Sequence, residues 1–253
     1  MSETHALPDE SVLIVGAGLA GLFLALRLAP RRVYVMTGRP LGEGSASAWA
    51  QGGIAAALSP EDSPALHAAD TIAAGAGLVE APVAHLLAAE GPARVRDLMD
   101  FGVPFDRRAN GDLELSLEAA HSRARVARVK GDLAGRAIMD ALTARARAAE
   151  HIHFIEGATA TAILTDSNGA AGVLARHASG QLTAFKARET VLATGGVGGL
   201  YRVTTNPQSA VGSGMAMAWR AGAMIADPEF VQFHPTAIDI SRDPAPLATE
   251  ALR

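Results

Sequence analysis

The sequence predicts an α/β fold built on a parallel sheet, and three observations support this prediction. Val12–Val15 is a short apolar run with the length of a buried parallel strand. Leu19–Leu28 follows with an apolar, helical pattern that ends before Pro30. A second apolar run, Val33–Met36, completes a βαβ unit within about thirty residues.

Three glycines join the first strand to the helix in the spacing G-x-G-x-x-G of the Rossmann-like dinucleotide fold. Gly16 permits a tight turn, Gly18 lets the backbone approach a pyrophosphate, and Gly21 lets the helix pack on the sheet. The helix N-terminus is expected to hold the pyrophosphate, because its free N–H groups and dipole favour an anion. Thr37 and Gly38 stand where an acidic residue usually binds the ribose, so that contact is made differently or from elsewhere.

Length and composition exclude several classes of protein. The 253 residues can bury a sizeable core as one large domain or two small ones. A net charge of −4 gives no indication of nucleic acid binding, and no apolar run reaches the roughly eighteen residues of a membrane span. The polar N-terminus is unlike a signal peptide. Cysteine is absent, which excludes disulfides and thiolate metal sites and suits a cytoplasmic location.

The segment Arg39–Gly53 is too rich in small and polar residues to be a packed element. One interpretation is a flexible surface loop. The other is a backbone that comes close to a flat ligand, with Ser45, Ser47 and Gln51 as hydrogen-bonding groups.

The motifs GAGLAG and EGSASAWAQGGIAAAL together resemble the flavoprotein family of succinate dehydrogenase, fumarate reductase and L-aspartate oxidase. In that family the second motif lines the flavin, and some members carry a histidine there that bonds covalently to FAD. The aligned position is Ala46, so the resemblance implies FAD held without a covalent link. The FAD contacts expected from the motifs and the resemblance are Gly16, Ala17, Gly18, Leu19, Ala20, Gly21, Thr37, Gly38, Ser45, Ala46, Ser47, Ala50, Gln51, Gly52, Gly53, Ala160, Thr194, Gly195 and Gly196.

Two helices and a loop-rich stretch are predicted in the middle of the chain. Ser63 is the expected N-cap of a helix over Pro64–Ala74. A second helical region runs from Pro82 to Phe101 with a break at Gly91-Pro92, and Phe105–Lys130 follows as a loop-rich insertion.

The charged and histidine side chains in this part have alternative interpretations. The basic run with Arg125, Arg128 and Lys130 is either a solvated face or a set of functional charges. His67 and His85 each stand alone in the sequence and are expected to be solvated or packed in the core.

The remaining elements extend the nucleotide-binding sheet. Asp132–Ala149 is predicted helical, with Leu133, Ile138 and Leu142 on its inner side. A helix Met215–Ala221 carries Met215 and Met217 as core residues. A buried strand leads into the turn Thr194-Gly195-Gly196, which matches a second FAD contact of large flavoproteins. Four strands are predicted as a β-meander, namely Ile152–Ile155, Ala160–Leu164, Gly172–Arg176 and Gln181–Ala187.

Two further motifs and one acidic residue carry the expected substrate site. Q-F-H-P-T places His234 between Phe233 and Pro235, and an imidazole there can donate a hydrogen bond to a carboxylate. The final residues resemble the family's T-E-x-x-R, which implies that Thr249 and Glu250 face the substrate. The resemblance also implies that Glu118 reaches the active site.

The resemblance covers Val12–Arg253 and implies the N-terminal part of a longer flavoprotein. Residues 1–235 are expected to form the FAD-binding domain, and residues 236–253 the start of a capping domain. The arginine that acts as main acid and base is expected beyond residue 253, so this chain alone is expected to be inactive.

Within the family, Glu118 favours aspartate oxidation over the dicarboxylate enzymes, since only aspartate has an ammonium group to bind. The implied reaction moves a hydride from L-aspartate to FAD and gives iminoaspartate, with oxygen or fumarate as acceptor. Iminoaspartate would pass to quinolinate synthase, so the reaction is the first step of de novo NAD biosynthesis. The alternatives are a soluble fumarate reductase or succinate dehydrogenase flavoprotein subunit, and an FAD-binding fragment without catalysis. No metal site is expected.

Overall fold

The computed structural model describes residues 3–234 and 236–248 of the chain. The strands are β1 (Glu3–Ala6), β2 (Val12–Val15), β3 (Val33–Thr37), β4 (Ile54–Ala55), β5 (Leu115–Ser116), β6 (Val126–Ala127), β7 (Ile152–Glu156), β8 (Ala158–Asp166), β9 (Gly169–His177), β10 (Leu182–Lys186) and β11 (Glu189–Leu192). The α-helices are α1 (Leu19–Arg27), α2 (Pro64–Ala74), α3 (Ala81–Asp100), α4 (Ala134–Arg147) and α5 (Ser213–Arg220). None of the helices in the described residues is long and apolar enough to cross a membrane.

The chain divides into two compact units. The first contains Met1–Trp49 and Leu142–Leu247, and the second contains Ala50–Ala141 and Ala248–Arg253. The division at residues 235 and 236 that the resemblance implies stays a prediction.

The first unit is built on a parallel sheet with the strand order β11-β2-β3-β7. All four side chains of β2 are buried, as expected for a strand covered on both faces. Helix α1 packs Leu22 and Ala25 onto this sheet, so the predicted βαβ unit is confirmed. The assignment of Ile152–Ile155 to the meander was wrong, because β7 pairs in parallel with β3 along five residues.

A second sheet, in the order β1-β10-β9-β8, completes the first unit. The meander therefore consists of β8, β9 and β10, with a turn at Ser167-Asn168 between β8 and β9. Strand β1 was not predicted, since its four residues are exposed and carry no apolar alternation. The core between the sheets is apolar and consists of Leu13, Val15, Met36, Ala158, Ala160, Val173, Ala175, Phe185, Ala187 and Met217.

The second unit contains helices α2 and α3 and a small sheet in the order β4-β6-β5. The predicted N-cap is confirmed, because Ser63 Oγ accepts a hydrogen bond from Leu66 N at 3.2 Å. The predicted break at Gly91-Pro92 was wrong, because α3 continues through Pro92. Pro92 lies on the buried face of the helix with Ala88 and Val95, and this packing offsets the hydrogen bond that proline cannot donate.

Helix α4 runs across the boundary between the two units. Ile138 and Leu142 are buried on its inner face, as predicted. The inward placement of Leu133 was wrong, because this residue precedes the helix and is 53% exposed.

Candidate functional site

A cavity of about 630 Å³ lies in the first unit at the carboxyl ends of β2 and β3. Ligands bind at this edge in open α/β sheets, and the volume is typical of a small-molecule site. The wall is made mainly of small residues from five segments, namely Val15–Ala20, Met36–Arg39, Glu43–Ser47, Ala158–Ala160 and Leu192–Gly196, together with Ser209, Ala210, Ser213–Met215, Met217 and Ala218.

The turn from β2 into α1 requires glycine at two positions for steric reasons. Gly16 has φ +115°, and a Cβ there would overlap the carbonyl of Ala193. A Cβ at Gly21 would overlap the carbonyl of Gly16, so this glycine lets the helix approach the turn. Gly18 differs, because a Cβ there would lie 3.4 Å from Ser47 Oγ and would extend into the cavity. The backbone at Gly18 is therefore open to a bound group.

Two serines of the loop after β3 line the same wall. Ser47 Oγ accepts a hydrogen bond from Leu19 N at 3.2 Å, in the first turn of α1. Ser45 Oγ is buried and, among the described residues, has no hydrogen-bond partner. Because buried hydroxyls normally have a hydrogen-bond partner, this one indicates a position for a bound group. The hydroxyl of Ser45 and the N-terminus of α1 together suit a phosphorylated ligand.

The cavity is also lined by the N-terminus of a second helix. Gly212 is the N-cap of α5 with φ +70°, and no side chain caps this end. Ser213 and Gly214, in the first turn, line the cavity. Their N–H groups can face an anion or a carbonyl oxygen. Met215 is 40% exposed and also lines the cavity, so its placement in the core was wrong, whereas Met217 is buried as predicted.

Sequence reasoning missed part of the wall. Thr159 lies against Gly38, where a Cβ would come within 2.5 Å of Thr159 Oγ1. Ser209 and Ala210 belong to a loop without a phosphate-binding motif. The small residues of β8 and of this loop were the only signal that could have identified them.

The fold and the cavity define a dinucleotide-binding α/β protein. The chain belongs to the FAD binding domain family, whose model matches residues 11–253. The residues around the cavity fit FAD, since they offer backbone N–H groups and hydroxyls and leave Gly18 open. The predicted cofactor is thereby confirmed as FAD, and the absence of a covalent link stays a prediction.

Several relatives are similar to almost the whole chain. L-aspartate oxidase of Caulobacter vibrioides is 60% identical over 98% of this chain and 49% of its own length. L-aspartate oxidase of Mesorhizobium japonicum is 48% identical over 95% of this chain and 47% of its own. The chain thus spans about half the length of the curated relatives that it matches.

Two solved structures show the same fold. E. coli quinol fumarate reductase FrdA superposes with a TM-score of 0.87 at 29% identity, over 93% of this chain and 40% of its own. Mycobacterium smegmatis Sdh1 gives a TM-score of 0.85 at 32% identity, over 93% and 41%.

The second unit contains a buried ion cluster that the sequence did not predict. The side chain of Arg125 is fully buried, so the interpretation of the basic run as a solvated face was wrong for this residue. It donates from Nε and Nη2 to both oxygens of Asp62 at 2.9 Å, and from Nη1 to Asp70 Oδ2 at 2.6 Å. Nη1 also lies 3.1 Å from His121 Nδ1. This cluster ties α2 and the loop before it to β6.

Hydrogen bonds and burial set the charges in this cluster. The backbone N–H and the hydroxyl of Ser122 both bond to Asp70 Oδ2 at 2.8 Å, and with Arg125 they lower the pKa of Asp70 to about 2. Burial raises the pKa of Asp62, but the hydrogen bonds from Arg125 bring it below its usual value. Burial lowers the pKa of His67, and the charge of Arg125 lowers it further. His67 also packs edge-on against His121 at 5.7 Å, so it is not isolated.

The structure does not bring all the predicted site residues to the cavity. Ala50, Gln51, Gly52, Gly53 and Glu118 fall in the second unit. His234 is partly buried in the first unit. Thr249 and Glu250 lie outside the described residues. The roles of all these residues stay predictions. Among residues 3–234 and 236–248, no group of three acidic or histidine side chains could hold a metal ion.

Proposed function

We propose that the full-length protein is an L-aspartate oxidase, which oxidises L-aspartate to iminoaspartate with oxygen or fumarate as acceptor. The observation that carries this proposal is 60% identity to an L-aspartate oxidase over nearly the whole chain. The likeness to fumarate reductase FrdA is lower, at 29% identity, and supports a shared fold. The alternatives are a fumarate reductase and a non-catalytic FAD-binding domain, and activity measurements on the wild-type protein distinguish them.

FAD, when bound, supplies the hydride acceptor for this reaction. The residues of this chain bind FAD and orient it. The N-terminus of α1 holds the pyrophosphate, with Ser47 fixing the first turn of that helix. Alanine at position 46 has no group that could bond covalently to the flavin, so FAD is held without a covalent link.

Four residues complete the proposed substrate site. His234, Thr249 and Glu250 hold the two carboxylates, and Glu118 receives the ammonium. The transfer of an ammonium into a closed site is costly unless an acceptor meets it, and Glu118 supplies a carboxylate. The proposal also includes a cytoplasmic location, transfer of the product to quinolinate synthase, and a role in NAD biosynthesis.

The test is Glu118→Gln in the full-length protein loaded with FAD. We expect kcat/KM for aspartate to fall roughly tenfold to a hundredfold, because a charge-assisted contact contributes about 1.5–3 kcal/mol. Fumarate reduction should be largely retained, since fumarate has no ammonium. Glu114→Gln is the matched control, because Glu114 is an exposed carboxylate of the same segment.

The outcomes separate the candidate functions. Equal loss of both activities would assign Glu118 to the site in general, and no change would make it a surface residue. A wild-type protein that reduces fumarate without oxidising aspartate would support the fumarate reductase alternative. A protein that binds FAD and does neither would support the non-catalytic one.

A further inference from the structure

A second arginine of the β5–β6 region makes an ion pair that differs from the buried cluster. Arg128 Nη2 donates to Glu118 Oε1 at 2.7 Å. The side chain of Glu118 is 37% exposed and that of Arg128 is 22% exposed. Both charges are therefore accessible to a ligand.

The contact between these two side chains uses only a small part of the hydrogen-bonding capacity of each. One nitrogen meets one oxygen, whereas Arg125 binds both oxygens of Asp62. Arg128 Nε is buried and, among the described residues, has no hydrogen-bond partner. Single, partly exposed ion pairs stabilise a protein little, so Glu118 can exchange its partner at low cost.

We propose that Arg128 is the counter-ion that Glu118 exchanges for the ammonium of the substrate. Arg128 then determines how well the site tolerates a dicarboxylate without an ammonium. This inference rests on the proposed function, in which Glu118 receives that ammonium.

The consequence follows from the charges. When aspartate binds, its ammonium neutralises Glu118, and the guanidinium is released. When fumarate binds, no ammonium arrives, and Arg128 keeps the Glu118 carboxylate from repelling the dianion. Loss of Arg128 therefore harms the dicarboxylate more than the amino acid, and loss of Glu118 has the opposite effect on selectivity.

The experiment uses the full-length, FAD-loaded protein carrying Arg128→Gln. Fumarate Kd is measured from the change in flavin absorbance, and kcat/KM for L-aspartate from peroxide formation. We expect fumarate to bind at least tenfold more weakly and kcat/KM for aspartate to change less than threefold. Arg128→Lys, which keeps the charge, should bind fumarate nearly as the wild type does.

The double variant Glu118→Gln/Arg128→Gln removes both charges and should restore fumarate binding. Arg136→Gln is the matched control, because Arg136 pairs with Asp140 on an exposed surface of the same unit and should change neither reading. Should Arg128→Gln lose FAD, Arg128→Lys and Glu118→Gln are compared instead, and the proposal then predicts wild-type fumarate Kd for the first and tighter fumarate binding for the second.

Two results would overturn the proposal. Equal weakening of both ligands would mean that Arg128 binds a substrate carboxylate or supports the fold, and no change in either would mean that it has no part in selectivity. If the wild type does not oxidise aspartate, the proposed function fails. Fumarate Kd in the single and double variants still shows whether Arg128 compensates the charge of Glu118.

Discussion

The cavity of the first unit and the ion cluster of the second unit are built from different chemical groups. The cavity is walled by backbone and small side chains, and its distinctive groups are glycines, two serines and two helix N-termini. The cluster is built from charged side chains around the fully buried guanidinium of Arg125. Free backbone N–H groups in a cavity wall can bind a ligand, whereas charged side chains that pair with one another use their hydrogen-bonding groups within the protein. The comparison assigns the FAD cavity to the first unit and a structural role to the buried ion pairs of Arg125 in the second.

The largest expected effect is on the stability of the cluster. Arg125→Met removes the counter-charge of the buried Asp62 carboxylate and leaves it only the backbone N–H of Ser63 among its described hydrogen-bond donors, so the free energy of unfolding should fall by about 3–5 kcal/mol. Urea denaturation measures this. Arg136→Met, at an exposed pair with a 4.0 Å contact, should cost less than about 1 kcal/mol. A loss of similar size in both variants would contradict the structural role of the cluster.

The next effect is on FAD affinity at the cavity. Gly18→Val should weaken FAD binding roughly a hundredfold or more, because its side chain takes the place of the pyrophosphate. The fold should persist, since the nearest atom to the added Cβ is Ser47 Oγ at 3.4 Å. Gly21→Val is the contrasting variant and should lose the fold, because its Cβ overlaps the carbonyl of Gly16. Flavin fluorescence and circular dichroism separate the two results, and full FAD affinity in Gly18→Val would contradict this geometry.

A smaller effect is the pH dependence of the cluster. The pKa of Asp70 falls from 3.8 to about 2 on folding, so the folded state binds its proton less readily than the unfolded state. Its contribution to stability is complete above pH 3.8 and is lost as the pH falls toward about 2. Asp70→Asn should make unfolding less dependent on pH in this window, as measured by urea midpoints. An unchanged dependence would show that Asp70 is not part of the linkage.

The smallest effect compares two serines that each accept one hydrogen bond from an N–H group in the first turn of a helix. Ser47 Oγ and Ser63 Oγ each accept a bond from a helix N–H at 3.2 Å, one in each unit. Each change to alanine should cost about 1 kcal/mol of stability. Only Ser47→Ala should also weaken FAD binding, because Ser47 lines the cavity. Equal FAD affinity in both variants would remove Ser47 from the site.

The two regions also differ in how far the sequence could predict them. The βαβ unit and its glycines are local in the chain, so spacing and apolar runs were sufficient to place them. Asp62 and Arg125 lie 63 residues apart, and no pattern links an acidic loop residue to one arginine of a basic run. Strand β1 was missed for a similar reason, since it forms only by pairing with the distant β10. Pro92 was taken as a break because its buried contacts could not be seen in the sequence.

The most direct test of the account is FAD titration of the purified protein followed by acid precipitation. The account predicts one FAD bound for each chain, with the flavin released completely into the acid supernatant and identified there as FAD by chromatography. Flavin that stays with the precipitated protein would contradict noncovalent binding, and a protein that binds no FAD would contradict the assignment of the cavity.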